Sequence, residues 1–183
     1  TEAGFAKADH VREELFYYEG NTHLPMEQHS AVAKHGADGR ITLWSSTQTP
    51  HYVHRALAKV LEMPSSQIRV IATPVGGGFG GKIPVYVEPV AALLSKKTGT
   101  PVKIVMTRRE TFEGSGPTPG TYIRIKIGAK RDGTFTAGHA WLEMEAGAFP
   151  GSPVGAGAQC VFAAYDFENA LIDGFDVVVN KPK

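Results

Sequence analysis

The chain has 183 residues, is 42% hydrophobic and 20% charged, and carries a net charge of +1. That length suits one domain or at most two small ones, the charge points to neither nucleic acid nor an anionic membrane, and no apolar run approaches the length of a spanning helix. The single cysteine, Cys160, excludes an internal disulfide or a thiolate metal cage and fits a reducing compartment. The opening residues show no signal-peptide or lipidation pattern. The chain starts on Thr1-Glu2 without methionine and stops just after the apolar run 175–179. Excision from a larger protein is therefore expected, with trimming of a complete domain as the alternative.

In chain order, residues 12–19 are extended and end in Phe16-Tyr17-Tyr18, an aromatic cluster that favours a strand. Residues 31–34 and 41–46 flank a segment containing Asp38-Gly39, a hairpin signal. Val53, Leu57, Val60 and Leu61 recur at helical spacing, predicting a helix over 51–61 that Thr49 caps, Pro50 opens and Pro64 stops. A short buried strand is expected at 68–72. A helix follows at 85–98, packing through Val90, Ala91, Ala92, Leu93 and Leu94 and closing at Gly99. Residues 102–106 form the next strand, and this β–loop–α–β order predicts a parallel pair with a right-handed crossover. Beyond the loop 113–120, strict alternation over 122–129 predicts a half-buried strand, which Asp132-Gly133 turns into a long partner over 135–145. Residues 147–157 are rich in Gly, Pro and Ala and suit a loop, and the last thirty residues are ambiguous. The expected fold is mixed α/β, a sheet with parallel and antiparallel pairs and packed helices, in a single domain over 1–183.

Five of the six residues at 76–81 are glycine, around Phe79, and Lys82 follows. A Walker-type phosphate loop fits Gly76, Gly81 and Lys82, but Ile83 stands where a hydroxyl should reach magnesium. A dinucleotide fingerprint fits Gly76, Gly78 and Gly81, but no ribose-binding acid lies near Lys103 to Met106 and Pro74 interrupts the approach. A bare strand-to-helix connection would be an entropically costly use of five glycines. The remaining possibility is a backbone left bare for a large, flat, polar cofactor, with the Phe79 ring held over it.

Several stretches, in order, resemble the xanthine dehydrogenase and aldehyde oxidase family of molybdenum hydroxylases, including its carbon monoxide dehydrogenase branch. They are His23-Leu24-Pro25-Met26-Glu27, Trp44-Ser45-Ser46-Thr47-Gln48, Met63-Pro64, Ile68-Arg69-Val70, the glycine loop itself and Arg108-Arg109-Glu110-Thr111-Phe112. Gln48 precedes Phe79 by 31 residues, the family's spacing. The resemblance covers roughly residues 10–180 and implies the first molybdenum-cofactor-binding domain of a larger subunit. It implies that the Gln48 amide donates a hydrogen bond beside the metal, that Phe79 overlies the metal and shapes the substrate pocket, and that backbone groups of Gly77, Gly78 and Gly80 contact the pterin. Gln48 and Phe79 would be neighbours of molybdenum and not its ligands. Lys82 would balance a phosphate or merely close the loop.

The implied activity is hydroxylation of an aldehyde, a heteroaromatic or a similar small substrate with water as oxygen source. The implied cofactor is molybdopterin as its cytosine dinucleotide, with 2Fe-2S and FAD on partner domains or subunits. The base glutamate would lie beyond Lys183, so this chain holds no catalytic residue and is expected to be inactive alone. Purine-specific members carry Glu directly after the loop lysine. Ile83 occupies that place here, which favours an aldehyde oxidase-like or carbon monoxide dehydrogenase-like enzyme. The partners implied are the rest of the molybdenum subunit and the iron–sulfur and flavin subunits, in the cytoplasm or, less in keeping, the periplasm. The competing hypothesis is a non-catalytic binding or assembly module that keeps the fold without the metal.

Other residues suggest chemistry and are better read structurally. His51 and His54 share a helix face but lack a third ligand. His23, Glu27 and His29 resemble a ligand cluster but belong to a structural segment in the resembling family. Glu143 and Glu145 share a strand face, where solvation is the simpler fate than acid–base work. Cys160 is expected to be a small buried hydrophobe.

Overall fold

A computed structural model describes residues 1–182. In chain order the elements are α1 (Glu2–Ala6), β1 (His10–Tyr18), β2 (Ser30–His35), β3 (Ile41–Ser45), α2 (Pro50–Val60), a 3₁₀ turn (Ser65–Gln67), β4 (Ile68–Ala72), α3 (Glu88–Thr98), β5 (Val102–Val105), α4 (Arg108–Gly114), β6 (Thr121–Ala129), β7 (Phe135–Gly147), α5 (Val154–Cys160) and β8 (Ala170–Val178). They fall into two compact units, one of Thr22–Gly116 and one of Thr1–Asn21 with the residues from Pro117 onward. Each has its own four-stranded sheet, and both sheets mix parallel and antiparallel pairs.

In the unit of Thr22–Gly116 the strand order is β4-β3-β2-β5. Alternation along β2 and β3 puts Ala31, Ala33, Ile41 and Leu43 on one face, where Val53 and Leu57 of α2 and Ala91 and Ala92 of α3 cover them. The hairpin at Asp38-Gly39 forms as expected, with Gly36 N–H donating to Arg40 C=O at 2.8 Å. The parallel pair is β3 with β4, joined through α2. The expected pairing of β4 with β5 does not occur, because β5 lies antiparallel to β2 at the opposite edge. A helix between two parallel strands shows that they share a direction, but not that they are neighbours.

Helix α3 begins at Glu88, later than expected, because the Glu88 carboxylate folds back to accept the Tyr86 N–H and the Ser45 hydroxyl. Its packing face also differs. Ala91, Ala92 and Ser95 are buried, whereas Val90, Leu93 and Leu94 are exposed. Small side chains let α3 approach β2 closely, and the Ser95 hydroxyl accepts the His35 N–H. Thr49 precedes α2 but does not cap it with its side chain; the hydroxyl donates to Ile83 C=O instead. Of β4, only Ile68 is fully buried.

The other unit orders its strands β1-β6-β7-β8. The ambiguous C-terminal stretch supplies β8, parallel to β7, and the stretch expected to be loop runs into α5 from Val154. Gly174 and Gly157 admit α5 closely, since an added Cβ would sit 3.1 Å from a Val154 methyl and 2.7 Å from the Met144 methyl respectively. Cys160 is exposed, against expectation, as the last residue of a short helix that buries none of its residues.

Leu57 is fully buried among β3, β4 and α3 residues. Leu57→Ala should cost about 2–5 kcal/mol, read as a lower urea midpoint at unchanged slope.

Candidate functional site

The strands β3 and β4 run parallel and end on the same side of their sheet. The segment Ser46-Thr47-Gln48 leaves β3 there, and the chain that becomes the glycine loop leaves β4. This is the edge where α/β sheets bind ligands, since loops from neighbouring strands converge. The segment from His23 to Glu27 is the third wall.

Three anchors hold the loop. The Gln48 side-chain oxygen accepts the N–H groups of Gly80 at 3.0 Å and Lys82 at 3.2 Å. A backbone N–H only donates, so the atom between them must be the amide oxygen, and among the described residues no hydrogen bond engages the amide nitrogen of this exposed residue. The main chain of Lys82 is tied further, its C=O accepting the Gln48 N–H at 3.1 Å and the Thr47 hydroxyl at 3.3 Å. Glu27 accepts the Gly76 N–H at 2.9 Å and the Lys82 ammonium at 2.5 Å, while its own N–H donates to Gly76 C=O. His29 completes the set, its Nε2 donating to Gly81 C=O at 2.9 Å.

Every glycine of the loop answers a steric demand. An added Cβ would lie 2.8 Å from the Glu27 Cβ at Gly76, 2.5 Å from the Gln48 oxygen at Gly78 and 2.9 Å from the His23 Cγ at Gly81. Gly77 and Gly80 have φ of 94° and 96°, values open to glycine and strained for other residues. The sequence suggested glycines kept bare for a ligand. In the structure the missing side chains chiefly make room for the chain's own Glu27, Gln48 and His23. What stays bare is smaller: among the described residues no hydrogen bond engages the N–H groups of Gly77, Gly78 and Phe79. Phe79 itself has φ of 54° and is 72% exposed beside them. Consecutive free N–H groups with a left-handed turn form a concavity suited to an anionic or carbonyl oxygen.

Lys82 is 1% exposed. A buried ammonium needs a partner, and Glu27 supplies it, so Lys82 is not available to a phosphate. Burial alone would raise the Glu27 pKa, but hydrogen bonds from the Lys82 ammonium and the Gly76 N–H, with the Lys82 and His29 charges, outweigh it and hold the carboxyl below its ordinary value. Burial holds the His23 imidazole below its ordinary value, against a raising backbone hydrogen bond at Gly116 and with a further lowering from His29.

Comparison with known proteins settles the family. The model of the molybdopterin cofactor-binding domain matches residues 1–183. The chain belongs to the molybdopterin cofactor-binding domain family. It is 35% identical over 149 residues to a probable xanthine dehydrogenase subunit of Bacillus subtilis, covering 81% of this chain and 20% of that one. It is 32% identical over 186 residues to the nicotinate dehydrogenase large molybdopterin subunit of Eubacterium barkeri, covering 100% of this chain and 44% of that one. The aldehyde oxidoreductase of Desulfovibrio gigas superposes with a TM-score of 0.83 at 27% identity, over 98% of this chain and 20% of that chain. The chain thus spans less than half the length of each of these relatives.

Within this family member, the structure gathers Gln48, Gly77, Gly78, Phe79 and Gly80 at one sheet edge, all in the unit of Thr22–Gly116. The histidines and paired acids fall elsewhere or take structural roles. His54 Nε2 lies 3.0 Å from Ser65 C=O and 3.1 Å from Ile68 C=O, tying α2 to β4. Glu143 accepts the Trp141 indole N–H, and Glu145 accepts from Lys181. Among the described residues no cluster of three His, Cys, Asp or Glu side chains could hold a metal ion. Sequence reasoning missed the Glu27–Lys82 pair. Its signal was present: a lysine inside a glycine loop that fits no phosphate motif needs a counter-charge, and the motif 23–27 contains one acid.

Gly78→Ala should push Gln48 off its two donors and speed amide exchange at Gly80 and Lys82 by about tenfold, the equivalent of roughly 1–1.5 kcal/mol for lost hydrogen bonds. Because the folded pKa of Glu27 lies below 4.5, its ionised form stabilises the fold at and above the ordinary value and is lost as pH falls through the lowered one. The gap in unfolding midpoint between wild type and Glu27→Gln should therefore be full near pH 6 and close in stronger acid.

Proposed function

We propose that this chain forms one wall of the molybdenum-cofactor site of a larger oxidoreductase subunit. The observation that carries this is the unengaged amide nitrogen of Gln48, whose oxygen binds the loop that carries the free N–H groups of Gly77, Gly78 and Phe79. These residues fit the group chemically, since a pterin and its metal ligands present oxygen and sulfur acceptors and the wall presents donors without a competing charge. Gln48 would donate to an acceptor beside the metal, the 77–80 backbone would hold the pterin, and Phe79 would cover the metal and limit the shape of the substrate. When bound, the cofactor supplies the oxidation chemistry, with water as the oxygen source and electrons leaving through 2Fe-2S and FAD on partner domains or subunits. The protein's part here is to orient the cofactor and shape the space beside it.

The substrate class that suits this wall is an aldehyde, a heteroaromatic or a similar small molecule. Ile83 is 46% exposed after the loop and offers no hydrogen bond to a polar ring, which favours aldehyde oxidase-like or carbon monoxide dehydrogenase-like chemistry over xanthine. The pterin form proposed is the cytosine dinucleotide, the base is a glutamate beyond Lys183, and the setting is cytoplasmic. The chain by itself should not turn over.

The test is metal and pterin analysis of the complex purified with its natural neighbours. One molybdenum and one pterin per subunit are expected, and their absence from the intact assembly would sink the proposal in favour of a metal-free binding module. Gln48→Ala in that complex should lower turnover about tenfold or more, as loss of a supporting contact at a metal site does, while costing in stability only about the 1–1.5 kcal/mol of its two lost loop hydrogen bonds.

A further inference from the structure

We propose that Glu27 is a positioning residue for the cofactor, setting the shape of the glycine loop without touching the bound group. This rests on the cofactor-binding reading above. The free N–H groups of Gly77, Gly78 and Phe79 lie between two clamps. On one side Glu27 and Gly76 exchange a reciprocal pair of hydrogen bonds, Gly76 N–H to the carboxylate at 2.9 Å and Glu27 N–H to Gly76 C=O at 3.2 Å. On the other side the Gln48 oxygen binds Gly80 and Lys82. Lys82 joins the two, its main chain in the Gln48 clamp and its buried ammonium on Glu27. The loop is thus held at both ends, with the three free donors between the clamps. Phe79, at φ of 54°, lies in the same stretch, and a strained conformation of this kind persists where the surroundings hold it.

The charge arrangement separates positioning from simple attraction. Glu27 is negative and neutralises Lys82, so as an electrostatic element it would weaken binding of an anionic ligand. Removing it frees a cation next to the loop. If charge governed retention, Glu27→Ala would hold the cofactor more tightly. If loop shape governs, the same change loosens it.

The experiment uses the intact complex loaded with its cofactor and measures the rate of pterin release by fluorescence at fixed temperature, with the unfolding midpoint alongside. Glu27→Ala should release pterin about ten- to a hundredfold faster, the range seen when outer contacts of a metal site are lost. Glu27→Gln, which keeps an acceptor oxygen in place, should restore most of the retention. Should the lone Lys82 charge prevent folding, Glu27→Ala combined with Lys82→Met removes both charges and should still release pterin faster, because the Gly76 clamp is gone. Release as slow as wild type, or slower, in Glu27→Ala or in the double variant, whichever folds, overturns the inference. A wild-type complex without pterin would instead overturn the cofactor reading beneath it.

Discussion

The site depends on one ion pair, between the buried Lys82 and the half-buried Glu27. Lys82 is enclosed, its ammonium has Glu27 as ionic partner, and its main-chain N–H and C=O are both held by Thr47-Gln48. Such a pair adds little to net stability compared with an apolar substitute, but it enforces a geometry, because Lys82 alone would be a buried charge without compensation. Here the geometry enforced is a run of glycines, the least ordered kind of chain. A loop of that composition keeps one shape only when its neighbours occupy the spaces where its side chains would be, and Glu27, Gln48 and His23 do so.

The sheet explains why these neighbours converge. Parallel alignment of β3 and β4 brings Gln48 and the glycine loop out at adjoining strand ends. Strand β5 runs in the same direction from the far edge, and the chain leaving it enters α4 through a capping box at Thr107 and Glu110. The first residue of that helix, Arg108, donates to Met26 C=O at 2.7 Å and steadies the segment that carries Glu27. Packing behind the site is provided by α2 and α3, which use Val53, Leu57, Ala91 and Ala92 to cover one face of the sheet. The core therefore acts on function indirectly, by fixing where three loops begin.

The second unit shows how differently the same chain can treat its surfaces. Its sheet carries a stacked Trp141–Phe175 pair, an Arg124 guanidinium over the Trp141 ring and a tilted Tyr17–Tyr122 contact. These residues are organised by strand register alone, since each lies opposite or diagonal to its partner in the ladder. Only the Tyr17–Tyr122 contact reaches the exposed β1, and it adds to that strand's backbone ladder with β6.

Periodicity was legible because it is local. The hairpin at Asp38-Gly39, the amphipathic α2, the alternating β6 and the glycine loop all follow from residues within one turn or one strand of each other, and the order of motifs around Gln48 and Phe79 identified the family. Tertiary structure decided what depends on distant parts of the chain. It made β3 and not β5 the neighbour of β4, turned α3 so that its smallest residues face the sheet, and exposed Cys160. It also paired Glu27 with Lys82 across 55 residues. That pairing showed that the loop's glycines admit protein side chains, while the N–H groups of Gly77, Gly78 and Phe79 stay open. No local pattern carries that information, because steric fit and charge compensation between separated segments exist only once the strands beneath them have been ordered.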